Sequence, residues 1–347
     1  MRILIVTDAW YPQINGVVRT LDTVRGELTR AGHVIEVVAP DRFRSIPAPT
    51  YPEIPLALFP ARKMRRLIDA FAPEAIHIAT EGPLGWAARR YCLRRGLPFT
   101  TSFHTKFPEY IHARWRIPIR WGYAMMRRFH APSSGVMVAT PSLAETLRQY
   151  KFSNLKRWTR GVDVSLFRPR PKTHFNGKRP VFLFTGRVAV EKNIEAFLKL
   201  DLPGQKVVIG DGPLLQELKL RYPGVVYTGY KRGEDLAEHM ASADVFVFPS
   251  LTDTFGLVLL ESLASGVPVA AFPVTGPIDV AADPKLGCLD WDLATAARAA
   301  LEKRPEDCRA YAENFSWRAC AEIFLGNLQP FGSANPAASR APVLISE

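Results

Sequence analysis

Cysteine is scarce: Cys92, Cys288, Cys308 and Cys320 are the only four in 347 residues, and no two of them form a C-x-x-C pair. That spacing excludes a zinc knuckle and a disulfide framework, and it fits a reducing compartment. No apolar run approaches the roughly 18 residues a membrane-spanning helix needs. The apolar run at 3–6 meets Asp8 too soon to be a signal-peptide core, so a cytosolic location is expected. The histidines form no H-E-x-x-H or comparable cluster, and no metal is expected. No G-x-G-x-x-G follows the first apolar strand, which argues against a dinucleotide-dependent dehydrogenase. With 47% hydrophobic and 22% charged residues, a disordered, collagen-like or coiled-coil chain is also excluded.

What the chain has in excess is positive charge, unevenly placed. Residues 1–175 hold 28 basic and 12 acidic side chains against 17 and 21 in 176–347, a net of +16 facing −4. A face of one half is therefore expected to meet something anionic, a membrane surface or a nucleic acid. Two stretches concentrate the charge. Residues 61–71 set Arg62, Lys63, Arg65 and Arg66 beside apolar positions at helical spacing. Residues 110–129 interleave Arg114, Arg116, Arg120, Arg127 and Arg128 with Trp115, Trp121, Tyr123 and Phe129. Basic and aromatic residues together suit a helix lying on anionic lipid, although a packed aromatic core with a solvated basic rim has the same composition.

Short apolar runs alternate with helical patterns along the whole chain. Strands are expected at 2–6, 34–39, 75–79, 99–102 and 136–139, with helices at 17–31, 83–95, 116–129 and 142–150. The pattern breaks over the Arg- and Pro-rich segment 154–172, read as an interdomain linker. It resumes with strands at 181–184, 206–209, 225–227, 245–248 and 267–272 and helices between them. This alternation predicts two doubly wound parallel α/β domains, residues 1–165 and 166–330, with a ligand cleft at the strand carboxyl ends and a disordered tail over 331–347.

Three strand ends carry chemistry. At 206–213 a strand ends in Gly210, Asp211 and Gly212 before a helix, which lets backbone and helix amides approach an anion; an ordinary βα turn reads the same way. At 184–193, Arg187 and Lys192 follow a strand in a loop and could neutralise a diphosphate. At 248–268, Asp253 precedes a helix opening at Gly256, and Glu261 stands in that otherwise apolar helix. A buried acid there needs a partner, which favours a ligand-binding role.

Together these segments resemble the retaining glycosyltransferases of family 4, with the GT-B fold of two Rossmann-like domains facing a central cleft. Further matches are the 8–17 loop with Gly16, the 101–105 segment with His104, and 160–169. The Thr-Asp-Thr-Phe-Gly version at 252–256 most resembles enzymes that glycosylate membrane lipids, such as sulfoquinovosyl-, glucosyl- or mannosyl-diacylglycerol synthases. One departure is that the family's usual glutamate is Asp253 here, one carbon shorter. The resemblance implies that Arg187 and Lys192 hold the donor diphosphate and that the amides of Phe255, Gly256 and Leu257 meet its phosphate or sugar oxygens. Asp253 would bind hexose hydroxyls, Glu261 the ribose, and Gly16 the diphosphate, while His104 orients the acceptor hydroxyl or contacts the donor sugar. No cofactor or metal is implied beyond the nucleotide-sugar donor.

The function expected is transfer of a hexose or hexuronic acid from a nucleotide sugar to a membrane lipid, with UDP preferred over GDP and diacylglycerol as acceptor, on the inner face of the cytoplasmic membrane. GDP-mannose-dependent mannosyl transfer and polysaccharide assembly are the alternatives. Nucleic-acid binding has no signature in the sequence. Asp290-Trp-Asp292 matches a metal-binding D-x-D, but it directly precedes a helical pattern, so Asp292 reads as a helix N-cap.

Overall fold

The computed structural model describes residues 1–13, 15–48, 51–175 and 177–332, without the side chains of 51–53 and 113–115. The chain forms two compact units, 1–139 with 144–159 and 321–347, and 140–143 with 160–320.

The first unit contains β1 (Arg2–Val6), α1 (Gly16–Arg30), β2 (Val34–Val38), a hairpin of β3 (Ser45–Ala48) and β4 (Tyr51–Ala57), and α2 (Ala61–Phe71). It continues through β5 (Ala75–Ile78), α3 (Pro83–Arg95), β6 (Thr100–Phe103), α4 (Phe107–Trp115), α5 (Ile119–His130), β7 (Gly135–Val138), α6 (Pro141–Gln149) and β8 (Leu155–Arg157). Six strands pair in parallel in the order β2-β1-β5-β6-β7-β8. The central strands are buried on both faces, which is why their sequences are continuous apolar runs rather than alternating ones. Leu4, Val6, Ile76 and Ile78 meet Met64, Ile68, Leu84 and Phe99 in one core.

The second unit runs through β9 (Val181–Thr185), α7 (Ile194–Leu198), β10 (Gln205–Ile209), α8 (Leu215–Arg221), β11 (Val226–Gly229), α9 (Gly233–Ala241), β12 (Val245–Phe248) and α10 (Leu257–Ala264). Then come β13 (Val269–Ala271), α11 (Pro277–Val280), β14 (Gly287–Leu289), α12 (Leu293–Ala300) and α13 (Pro305–Ala312), followed by α14 (Trp317–Asn327), whose residues from Ala321 belong to the first unit. Its parallel sheet has the order β11-β10-β9-β12-β13-β14, and Phe182, Phe184, Val208 and Val247 lie in its core. In each sheet the strand order reverses once, at β1/β5 and at β9/β12, and ligands of open α/β sheets bind at such switch points.

The expected linker differs from what is seen. Residues 155–157 form edge strand β8, and Trp158, Val162 and Phe167 are buried, so the segment is pinned by its apolar side chains despite its Arg and Pro content. The units change over at Thr159/Arg160 instead of 165/166, and from Ala321 the chain groups with the first unit instead of the second. In that unit Phe324 packs on His77 and Trp158, each at 4.9 Å, and Asn327 donates to the Arg157 carbonyl. Phe331 donates its N–H to the Glu74 carbonyl at 2.7 Å, so the tail begins after it, and 333–347 lie outside the described residues. The helix expected at 116–129 begins only at Ile119, as α5, and an unexpected α4 precedes it, because Arg116 takes a left-handed conformation and Pro118 cannot continue α4.

Truncating Phe324 to Ala should cost about 3 to 5 kcal/mol in urea unfolding, with Phe324→Leu costing much less. An equal, small effect of both would contradict the packing of the last helix on the first unit.

Candidate active site

At the β9/β12 switch point of the second unit, the loops after both strands bring the expected donor residues together. Lys192 closes a short 3₁₀ turn after β9, and its Nζ donates to Asp253 Oδ1 at 2.7 Å and Oδ2 at 2.8 Å in the loop after β12. Both side chains are largely shielded, at 24% and 18% exposed. Arg187 lies in the same β9 loop, loosely facing Glu191 at 3.9 Å. The hydroxyl oxygens of Thr185, at the end of β9, and Thr252, beside Asp253, are buried and have no hydrogen-bond partner among the described residues. Buried hydroxyls without partners are costly unless a ligand or water satisfies them.

The neighbouring strand ends are laced by backbone. Gly186 N–H donates to the Ile209 carbonyl, Gly210 N–H to that of Gly229, and Val188 N–H to that of Asp211. Gly210 has φ +144°, and a Cβ there would lie 1.9 Å from the Gly186 carbonyl oxygen, so only glycine fits. Asp211 accepts the N–H of Gly212 at 2.7 Å.

Helix α10 opens at this edge. Its N-cap is Gly256, at φ +80°, which has no side chain to cap the helix. The first amides of a helix need acceptors, and its dipole favours negative ones. Phe255, Gly256 and Leu257 lie at this end of the helix. Glu261, one turn further along, is 2% exposed in a helix whose neighbours Leu259, Leu260 and Leu263 are fully buried. Asp292 is the N-cap of α12, accepting from Ala294 N–H at 3.0 Å and from the Thr295 hydroxyl at 2.6 Å, and these bonds hold its carboxyl below the usual range.

Gly16 and His104 belong to the first unit. Gly16 opens α1, where Asn15 accepts from the amides of Val17 and Val18 at 3.0 Å. His104 directly follows β6 with its ring edge-on to buried Trp158, at 5.6 Å.

The sequence reading missed the part Asp8 plays at the β1/β5 switch point. Helix α3 begins at Pro83 after Gly82, which has no side chain to cap it. Asp8 supplies the cap from the loop after β1, accepting from Leu84 N–H at 2.9 Å, Gly85 N–H at 3.3 Å and the Thr80 hydroxyl at 2.9 Å. A Cβ on Gly82 would lie 2.4 Å from Asp8 Cγ, which explains the glycine. Next to it, Glu81 accepts from His130 at 3.0 Å, and His130 meets Thr101 at 2.9 Å. The signal available in the sequence was a Gly-Pro helix start with no cap of its own. Burial pushes the Asp8 carboxyl up from 3.8 to about 6 against the pull of the Leu84, Thr80 and Gly85 bonds, with the Glu81 charge adding to the rise.

Residues 14–166 match the profile Glycosyltransferase Family 4, and 179–303 match Glycosyl transferases group 1. A GDP-mannose-dependent alpha-mannosyltransferase of Mycobacterium tuberculosis is 31% identical, with 83% of each chain covered. An alpha-monoglucosyldiacylglycerol synthase of Streptococcus pneumoniae is 28% identical over 88% of this chain and 79% of its own. A sulfoquinovosyl transferase of Arabidopsis thaliana is 29% identical over 80% of this chain and 60% of its own. Among solved structures, sucrose-phosphate synthase from Thermosynechococcus elongatus superposes with a TM-score of 0.73 at 20% identity, covering 94% of this chain and 97% of that one. The chain belongs to the glycosyltransferases of family 4, and its fold is GT-B, built from two doubly wound units.

Gly82→Ala should lower unfolding stability by about 2 kcal/mol or more, because it drives Asp8 off the α3 amides. The folded state keeps the Asp8 proton where the unfolded chain has lost it. Stability from this group is therefore full below pH 3.8 and lost as pH rises through about 6. Urea midpoints across this range should show that fall in the wild type, and Asp8→Asn should flatten it; an unchanged slope would contradict the assignment.

Proposed function

We propose that the protein is a retaining glycosyltransferase that moves a hexosyl group from a nucleoside-diphosphate sugar to a hydroxyl of a membrane lipid. The observation that carries the donor half is the Lys192–Asp253 pair beside the uncapped N-terminus of α10. A diphosphate entering there would meet Lys192, Arg187 and the first amides of α10, while Asp253, released from Lys192, would be left to hydrogen-bond sugar hydroxyls. Glu261 would take the ribose. In the transfer, the bond from the anomeric carbon to the phosphate oxygen breaks as the acceptor oxygen bonds the same face. The acceptor proton passes to the leaving phosphate oxygen, and Arg187 and Lys192 stabilise the charge that develops, a role for which no metal is invoked. His104, oriented by Trp158, would position the acceptor hydroxyl or the donor sugar, and Gly16 would let backbone approach the diphosphate.

The lipid acceptor is supported by the monoglucosyldiacylglycerol synthase and sulfoquinovosyl transferase relatives. No helix among the described residues is long and apolar enough to cross a membrane. Contact with the bilayer surface is supported by α2, where exposed Arg62, Arg65 and Arg66 adjoin Phe59, which is 94% exposed. Mannosyl transfer from GDP-mannose is the second reading, favoured by the 31%-identical relatives with that donor in their names.

Incubation with diacylglycerol vesicles and a panel of UDP- and GDP-sugars, read by product mass, should yield a glycosylated lipid with one donor. Glu261→Ala should weaken nucleotide binding by at least about tenfold. No turnover of any donor, with nucleotide affinity untouched by Glu261→Ala, would sink the proposal.

A further inference from the structure

On the first unit, a cavity of about 360 Å³ lies apart from the donor loops, with His130, which also bonds Glu81 and Thr101, among its lining residues. The last turns of α5 line it with Ala124, Arg127, Arg128 and Ala131, and the segment after α6 adds Lys151 and Phe152. Arg89 adjoins it, donating to the carbonyls of Phe129 and Arg128 at 2.9 Å each. Burial, with the Arg128 charge adding to it, holds Arg89 below its usual pKa.

Cations do collect at helix C-termini, where each gains about 0.3–1 kcal/mol from the dipole. Arg89 is explained in that way, and Arg127 is tied to the Tyr150 carbonyl at 3.2 Å. Arg128 and Lys151 are not. Among the described residues neither side chain donates to a carbonyl or pairs with a carboxylate, and the nearby Glu145 is held by Arg148 at 3.1 Å. The Glu81 carboxylate is engaged by His130, so the like charges of Arg128 and Lys151 repel one another, and an anion would relieve that.

The same face of α5 also carries exposed apolar side chains. Trp121 is 63% and Met125 53% exposed, and they stand four residues apart with Arg128 three further on, one stripe of the helix. A dissolved anion would have no use for Trp121 and Met125, whereas a headgroup at a bilayer surface would bring lipid to both. We infer that this cavity binds the phosphate of an anionic phospholipid headgroup through Arg128 and Lys151, with Trp121 and Met125 seated in the interface beside it. The site rests on the membrane-lipid reading above and is separate from the donor and acceptor positions. It would hold the first unit on the surface while those positions work.

Flotation with phosphatidylglycerol-rich vesicles tests this. The double variants Arg128→Glu/Lys151→Glu and Arg128→Gln/Lys151→Gln are compared with Lys178→Glu/Lys285→Glu, which changes the same total charge as the first at exposed sites of the second unit. The cavity variants should lose binding by about tenfold or more, and the control should stay within about twofold. Equal loss in cavity and control variants, or none in either, would overturn the site while leaving the membrane reading intact. Failure of the wild type to float would overturn both. Inorganic phosphate is titrated in parallel without vesicles: saturable binding lost in the cavity variants would make this a soluble-anion site and overturn the lipid assignment.

Discussion

One ion pair links the two loops at the switch point of the second unit. Lys192 and Asp253 come from the loops after β9 and β12, the two strands between which the sheet reverses its order. Two further bonds join those loops, from Asn193 Nδ2 to the Pro249 carbonyl at 3.0 Å and from the Ser250 hydroxyl to the Glu191 carbonyl at 3.4 Å, at an edge where parallel strands separate because their connections leave for opposite faces. The pair spans the gap with two bonds below 2.9 Å in a partly shielded setting, where Coulomb attraction is stronger than in water. It also keeps a cation and an acid poised beside the open amides of α10. In the proposed reaction an incoming diphosphate would compete for the lysine, and the acid it displaces would be left for neutral sugar hydroxyls. A single contact thereby accounts for two residue types that would be difficult to keep side by side for separate structural reasons.

The first unit meets the same constraint differently. Its switch point between β1 and β5 also faces a helix start without a side-chain cap, at Gly82. There the protein closes the site on itself, with the Asp8 carboxylate filling the role of an anion at α3. The two helix starts differ in what faces their first amides. At α3 an aspartate from the loop after β1 caps the amides, whereas the N-cap of α10 is a glycine with no side chain to do so. Thr185 and Thr252 belong with that second pattern, as buried hydroxyls without partners among the described residues.

Much of this was legible in the sequence because parallel strands buried on both faces read as short apolar runs, and glycines at tight strand ends stand out. The donor segments carrying Arg187, Lys192, Asp253 and Gly256 could be placed at one sheet edge for that reason. What stayed hidden was whatever depends on distant residues. The β3–β4 hairpin is too rich in Pro to read as strands, and its pairing is antiparallel in a chain that otherwise alternates. The segment from 154 looked like a linker because its charges mask Trp158 and Phe167, whose burial needs partners such as Phe324, far along the chain. Asp8 gave no sign of its burial, since the amides it caps lie 76 and 77 residues away. The direct contact of Lys192 with Asp253 was likewise not readable from two loops 61 residues apart.

The central claim is that the cation of this pair is the diphosphate ligand and that the acid restrains it until the donor arrives. A double-mutant cycle on UDP and GDP affinity, using Lys192→Ala, Asp253→Ala and the double variant, tests it by calorimetry. Removing Asp253 should tighten nucleoside-diphosphate binding when Lys192 is present and change nothing once Lys192 is gone. Independent, additive effects of the two substitutions, or full affinity without Lys192, would contradict it.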